Sequence, residues 1–373
     1  MKYYLVAGER SGDLHGGNLI RQIHRLDPNA QVRCWGGDAM QGAGAELVTH
    51  YRDMAFMGFL EVVKNLKTIS NFLKICKQDL LSFQPEAVIL IDYPGFNLRI
   101  AKFAKKQGWP VYYYIAPKTW AWNAKRTHKL RKYVDRVFSI LPFEESFFKK
   151  YDVNVTYVGN PLLDAIDGFQ PDPMFRTQQN IPQKSIIALL PGSRKQEIEN
   201  VLSVMLEVVS RFPEAHFVVA AVGNLPAYYY NLVRSHSQVS IETDQTYQVL
   251  QIADLAIVTS GTATLETALF NVPQIVVYKT STVSYRIART LIRVPYISLV
   301  NLIMDREVVP ELIQNDFSSD NIGEIARELV TNSSRRVSQL NAYSELRQNL
   351  GTYPSSCMVA EEVVNEISLK QQF

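Results

Sequence analysis

The sequence predicts a two-domain α/β protein built on parallel sheets, and three observations carry that expectation. The chain is 373 residues long, more than one domain usually spans, so two domains of roughly 150–200 residues each are the natural division. Short apolar runs recur through both halves, each closed by a Gly-rich or polar turn and followed by an amphipathic stretch of helix length. Strand and helix alternating in this way indicate parallel sheets covered by helices.

The runs KYYLVAG, AVILIDYPG, VYYYIAP and RVFSILPF are the strand candidates of the first half. In the second half SIIALLPGSR, HFVVAAVGN, LAIVTSGT and QIVVYKT repeat the plan. Between Asp164 and Pro182 the pattern is interrupted by DGFQPDP and polar residues with no apolar period. The division expected is therefore a first domain over 1–165, a linker over 166–182, a second domain over 183–350 and a C-terminal helical segment over 351–373. That last segment, helix-like from Ser356 to Leu369, can pack on either domain or on a partner chain.

Composition excludes several classes. With 47% hydrophobic and 20% charged residues, and no repeat or low-complexity tract, the chain reads as an ordinary globular protein. Cys34, Cys76 and Cys357 are far apart with no CxxC pair, which fits a reducing cytoplasm. The opening MKYYLVAGE leaves no room for a secretory leader, and no apolar run approaches the ~18 residues of a membrane span. Charge is uneven: residues 1–165 hold 23 Lys and Arg against 15 Asp and Glu, and the remainder 16 against 21. A basic half suits an anionic membrane surface, a phosphorylated substrate or nucleic acid.

Ligands of open parallel sheets bind beyond the carboxyl ends of the strands, so the residues after each run are where chemistry is sought. In LLPGSRKQEIEN, Gly192 allows close backbone approach, Ser193 can cap the helix or donate to an oxygen, and Arg194 offers a fork to a phosphate at a helix N-terminus. The same residues also read as a Pro-Gly turn with a serine cap. In VTSGTATLETALF, the small residues Ser260, Gly261, Thr262 and Ala263 admit a diphosphate against a helix N-terminus. Glu266, a turn deeper, is placed to accept ribose hydroxyls, although a lone Glu there is more often solvated or a capping partner. Two such turns in one domain favour an anion site. Neither GxxxxGKS/T nor GxGxxG follows a strand, which argues against an ATPase or a nicotinamide dehydrogenase. The six histidines show no close metal-ligand spacing, so no metal is expected, and no cofactor is expected either.

In the first half, Asp92 follows the strand AVILI and can act as a general base on a hydroxyl, or cap the Pro-Gly turn that follows it. The opening loop AGERSGDLHGGNL offers Ser11 and Gly12 as ligand contacts with Asp13 beside them, while Gly16 and Gly17 fall where a helix is starting. Residues 54–77 combine Met54, Phe56, Met57, Phe59 and Leu60 with Lys64, Lys67, Lys74 and Lys77, as an interfacial segment or a core helix with a lysine face would. Trp120 and Trp122 precede Lys125, Arg126, Lys129, Arg131 and Lys132, a pairing that serves nucleic acid or lipid phosphate.

Taken together, AGERSGD, MGFLEVV, IDYPGFN, TWAW, LPFE, VGNPLLD, LLPGSR, SGTATLE and VPYISLVNLI resemble the lipid-A-disaccharide synthase family, in register from residue 5 to about 315. The resemblance implies two Rossmann-like domains facing a central cleft (GT-B type) and an inverting glycosyltransferase. Such an enzyme moves 2,3-diacylglucosamine from UDP to 2,3-diacylglucosamine 1-phosphate (lipid X), forming the β-1,6-linked disaccharide. Carried over by position, Asp92 is the base, Arg194 contacts the donor diphosphate, Asn301 in SLVNLI faces the same cleft, and Ser260 to Glu266 hold UDP. Met57, Trp120 and Trp122 fall to the acceptor side or a cleft loop, with Ser11, Gly12 and Asp13. Gly95 stands where many members have a second Asp, which favours Asp92 as the lone base. The basic first half then serves an acylated, phosphorylated acceptor at the cytoplasmic face of the inner membrane. Nucleic acid becomes the weaker partner, and a homodimer is left open.

Two other readings compete. One is an epimerase acting on UDP-N-acetylglucosamine or a transferase of the lipid-linked peptidoglycan precursor, which share such turns; the 54–77 segment, IDYPGFN and TWAW speak against both. The other is a lipid- or nucleic-acid-binding module, which needs no divided set such as Asp92, Arg194 and Glu266.

Overall fold

The computed structural model describes residues 1–54, 66–122, 126–291, 294–352 and 354–371. The chain divides into two compact units, Met1–Pro161 with Leu350–Phe373, and Leu162–Asn349.

In the first unit the described strands form one parallel sheet: β1 (Lys2–Ala7), β2 (Gln31–Gly36), β3 (Glu46–His50), β4 (Ala87–Ile91), β5 (Val111–Tyr114), β6 (Arg136–Ser139) and β7 (Val155–Tyr157). Their spatial order is β3-β2-β1-β4-β5-β6-β7. Successive side chains point to opposite faces, so a strand covered on both sides must be apolar throughout. Along β1, Tyr3, Leu5 and Ala7 join the core on one face, and Tyr4 and Val6 the core on the other.

The three tyrosine hydroxyls of β5 are each paired although the side chains are buried. Tyr112, Tyr113 and Tyr114 are all fully buried. On one face Tyr112 donates to Glu366 Oε2 at 2.8 Å, and the hydroxyls of Tyr114 and Ser355 lie 2.9 Å apart. On the other face Tyr113 donates to the carbonyl of Asp92 at 2.6 Å. Glu366 and Ser355 belong to the C-terminal helix Ser355–Gln371. Val359, Ala360, Val363 and Ile367 of that helix pack into the core with Leu19, Ile20 and Ile23 of the helix Arg10–Leu26. Arg136 of β6 pairs with Glu362 at 2.6 Å and also with Glu366. The C-terminal segment, open to several partners in the sequence, is thus claimed by the first unit.

The second unit repeats the topology with β8 (Ser185–Leu190), β9 (Ala215–Ala221), β10 (Val239–Thr243), β11 (Leu255–Thr259), β12 (Gln274–Tyr278) and β13 (Glu311–Ile313). All described pairs are parallel, in the order β10-β9-β8-β11-β12-β13. Ile187 and Leu189 face one core, and Ile186, Ala188 and Leu190 the other. Residues 166–182, expected as a linker, fall inside this unit: Phe175 and Ile181 are buried in its core, and Phe169 packs on Tyr247 and Phe270. Isolated aromatic and aliphatic anchors carry no periodicity, which is why the pattern there looked empty.

Arg136→Met retains side-chain length but removes the cation shared by Glu362 and Glu366. With the apolar face of the C-terminal helix intact, the loss is expected at about 1–2 kcal/mol. Amide exchange within residues 355–371 should then accelerate roughly 5–30-fold while β1 and β4 keep their protection, read by hydrogen exchange with mass spectrometry.

Candidate functional site

In both sheets the strand order reverses beside the first strand, at β1/β4 and at β8/β11, and at such a reversal the loops leave in opposite directions and open a crevice. Ala7 pairs with Ile91, and Leu190 with Val258. The loops AGERSGD and IDYPGFN therefore leave neighbouring strand ends in the first unit, and PGSR and SGTATLE do so in the second. Chain positions as distant as 8 and 92, or 192 and 260, are brought side by side.

At the first reversal the backbone is strained. Asp92 and Tyr93 have φ of 46° and 47°, in the left-handed region, which costs a non-glycine residue roughly 1–2 kcal/mol. Hydrogen bonds hold it there. Asn97, fully buried, donates through Nδ2 to the carbonyls of Val6 (3.2 Å), Ile91 (3.1 Å) and Asp92 (2.8 Å). Tyr113 adds its hydroxyl to the Asp92 carbonyl, and burial together with the Asp92 charge keeps that phenol protonated well above its usual range. Gly8 is required, because a Cβ there would collide with the Tyr93 ring. Asp92 itself is half-buried at the end of β4.

The opening loop divides between ligand-accessible and structural residues. Ser11 is exposed at the start of the helix Arg10–Leu26. Gly12, expected to meet a ligand, is buried against the sheet; a Cβ would lie 3.2 Å from Ala7 Cβ. Asp13, grouped with it on the acceptor side, is likewise buried, and its carboxylate accepts from the amides of Gly37 (2.7 Å), Ala39 (3.0 Å) and Met40 (3.1 Å), capping the short helix Asp38–Gly42. Gly16 and Gly17 admit Met40 and Ala39 at close range.

Trp120 lies in a short helical turn, Thr119–Trp122, and donates through Nε1 to Glu144 Oε1 at 2.9 Å. Met57 and the side chain of Trp122 lie outside the described residues. Of the 54–77 segment, the part within the helix Leu66–Phe83 turns Cys76 to the core and exposes Lys67 and Lys74.

In the second unit Gly192 takes φ of 101° and the chain enters the helix Lys195–Glu207. The two amides just before that helix have an anion: Glu197 Oε2 accepts from Ser193 N (3.0 Å) and Arg194 N (3.2 Å). Glu197 Oε1 meets Arg194 Nη1 at 3.2 Å, and the arginine side chain remains 59% exposed. A carboxylate of the chain itself thus occupies these two amides. Across the reversal, Gly261 has open space around it, Thr262 is exposed and Ala263 half-buried at the start of the helix Thr262–Leu269. Ser260 donates its hydroxyl to the Ile297 carbonyl at 2.8 Å, so it ties down a loop rather than offering a free donor.

Glu266 is deeper. Tyr247 donates to its Oε1 at 3.0 Å, and Tyr247 is packed between Phe169 and Phe270. Burial pushes the Glu266 carboxyl up, and the Tyr247 hydrogen bond opposes that rise. Asn301, expected to face the ligand, is fully buried with its carboxamide engaged throughout. Nδ2 donates to Val309 O and Glu311 Oε1, and Oδ1 accepts from the amides of Val308 and Val309. Glu311 also receives Ile297 N and Ser298 N, so Asn301 and Glu311 brace the loop that Ser260 holds.

Asn97, Tyr113, Glu144, Glu197, Tyr247 and Glu311 escaped the sequence reading as site residues. Asn97 and Glu144 lie inside IDYPGFN and LPFE, each on the first helical turn after a strand, a position that was the available signal. Among the described residues no cluster of three or more His, Cys, Asp or Glu is placed to hold a metal ion. None of the described helices is long and apolar enough to cross a membrane.

Comparison with solved structures shows the same fold over the chain. A UDP-GlcNAc 2-epimerase from Neisseria meningitidis, solved bound to UDP-GlcNAc, has a TM-score of 0.71 at 15% identity, over 98% of this chain and 100% of that one. The glycotransferase of kitacinnamycin has 0.64 at 14% identity, over 98% of each. Sequence relatives are much nearer. The lipid-A-disaccharide synthase of Geobacter sulfurreducens is 38% identical over 87% of either chain, and that of Syntrophus aciditrophicus 38% over 93% of either. The enzyme of the same name in Coxiella burnetii is 36% identical over 97% of this chain and 98% of its own. The sequence profile of the family described as lipid-A-disaccharide synthetase matches residues 3–367, well past the point near 315 where the motifs thinned out. The chain belongs to the lipid-A-disaccharide synthase family of glycosyltransferases.

Proposed function

We propose that the protein transfers 2,3-diacylglucosamine from its UDP derivative to the 6-hydroxyl of 2,3-diacylglucosamine 1-phosphate, with inversion and without a metal ion. The observation that carries this reading is the division of chemistry between the two strand reversals: a carboxylate at β1/β4, and an arginine with small-residue helix starts at β8/β11. In this reading Asp92 takes the proton of the acceptor hydroxyl as its oxygen forms a bond to the donor C1. The C1–oxygen bond to the diphosphate breaks on the opposite face, so an α-linked donor yields the β-1,6 product and UDP. Arg194 and the N-terminus of the helix Thr262–Leu269 neutralise the charge that collects on the departing diphosphate. Glu266 offers its second oxygen to the ribose, the first being held by Tyr247.

Family membership supports the acylated substrates, and the excess of Lys and Arg over residues 1–165 supports an anionic, lipid-bearing acceptor presented at the cytoplasmic face of the inner membrane. Likeness in fold to epimerases that act on UDP-GlcNAc makes epimerisation the reading to exclude.

Asp92→Asn is expected to bind UDP as the wild type does and to lose turnover by about 10²–10⁴-fold, measured by calorimetry and by UDP release from the two acylated substrates. Near-normal turnover in that variant would sink the assignment of the base, and conversion of unacylated UDP-N-acetylglucosamine in preference to the acylated donor would sink the reaction. Arg194→Ala should weaken UDP by roughly 10–100-fold, the worth of a hydrogen bond to a charged group. Wild-type turnover that survives a chelator is the matching outcome for metal independence; its abolition, with restoration by a divalent cation, contradicts it. Tyr247→Phe should weaken UDP about 2–10-fold while leaving 2′-deoxy-UDP nearly unchanged. An equal loss for both nucleotides would mean that Glu266 does not read the ribose.

A further inference from the structure

The helix Pro142–Lys149 starts just after β6, at the carboxyl edge of the first sheet, and its first turn carries a carboxyl that the proposed chemistry does not use. Glu144 is 1% exposed. Its Oε1 accepts from Trp120 Nε1 at 2.9 Å and its Oε2 from the amide of Leu141 at 3.3 Å. Phe143, next to it, meets the Trp120 indole edge-on with ring centroids 4.9 Å apart. On the other side of that short turn, Thr127 donates to the Thr119 hydroxyl at 3.0 Å with both residues buried. The TWAW segment is therefore pinned at two points, one of them ionisable.

The Leu141 contact alone would be an ordinary helix cap, for which a polar side chain suffices. An indole donor on the second oxygen is not part of a cap, and it joins two loops that leave adjacent strand ends, β5 and β6. A carboxylate only accepts, so it suits donors on both oxygens; once protonated, one oxygen carries a hydrogen and must turn away a donor. The other groups that act on Glu144 are the Ile140 backbone and Lys118, from the segment after β5, which both favour the charged form, and Tyr157 of β7, whose phenol feels the Glu144 charge. Glu145 on the same helix is half-exposed and pairs with Lys149. Burial outweighs Lys118 and the hydrogen bonds, and lifts the carboxyl to about 7.

We propose that Glu144 is a positioning residue for the acceptor, its carboxylate fixing the indole of Trp120 and its protonation releasing that ring. This rests on the reading of the first unit as the acceptor-binding one. Above neutral pH the indole is held; below it, the TWAW turn keeps the threonine pair, its backbone hydrogen bonds and the packing on Phe143.

Tryptophan emission followed from about pH 5 to about pH 9 tests the coupling without any substrate. The wild type should show a transition near pH 7 that is missing from Trp120→Phe, which retains packing on Phe143 but has no N–H, and missing from Glu144→Gln. In steady-state kinetics the wild-type KM for the acylated acceptor should rise several-fold as pH falls through that transition. Glu144→Gln should show a raised, pH-flat acceptor KM, with kcat and UDP affinity close to wild type and an unaltered urea midpoint. A Trp120 signal that is flat with pH in an enzyme that turns over the lipid substrates overturns this inference alone. A Glu144-dependent transition in a protein that turns over neither lipid overturns the proposed reaction, and with it the acceptor role. An acceptor KM in Glu144→Gln that follows the wild-type pH profile also overturns the inference.

Discussion

One carboxamide holds the point on which the first unit depends. Where β1 and β4 part, parallel strands stop bonding to each other, and the carbonyls at their ends would be left buried without donors. Asn97 supplies the donor to Val6, Ile91 and Asp92 together, from the helix that follows β4. That bridge does more than satisfy carbonyls. It fixes a left-handed turn at Asp92 and Tyr93 that the backbone would otherwise leave, and so sets the direction from which the Asp92 carboxylate emerges. Tyr113 reinforces the same carbonyl from β5, and Gly8 gives way to the Tyr93 ring.

The second unit solves the matching problem at β8/β11 with charge rather than with a carboxamide. Glu197 accepts from the amides of Ser193 and Arg194 in the turn after Gly192 and keeps the Arg194 side chain near its own carboxylate. Glu311 and Asn301 tie residues 297–309 together, and Ser260 attaches that loop to the end of β11. Both turns that the proposed function gives to UDP are therefore ordered by the chain's own polar groups. Side chains expected as ligand contacts are in several cases braces: Asn301, Asp13 and the Ser260 hydroxyl hold the loops from behind.

Polar side chains inside an apolar sheet carry much of the higher organisation. The three tyrosines of β5 alternate between faces as any strand must, so one hydroxyl reaches the Asp92 turn and two reach the C-terminal helix. Through that single strand, the geometry at β4 and the docking of residues 355–371 share a common support. Arg136, on the neighbouring strand, adds its pairs with Glu362 and Glu366.

Much of this was legible in the residues alone. Continuous apolar runs such as AVILI, short and bounded by turns, read as strands buried on both faces, and their alternation with amphipathic stretches indicates a parallel sheet in each half, with Asp92, Arg194 and the SGTATLE turn at strand ends. Local pattern fixes those features because it is set by near neighbours in the chain. Tertiary structure alone decided the rest. That Phe175 and Ile181 are core residues rather than linker, that the last helix belongs to the first unit, and that Glu266 answers to Tyr247 all depend on partners far away in sequence. A buried polar group takes its role from whichever donor or acceptor folding places beside it, and no spacing along the chain encodes that choice.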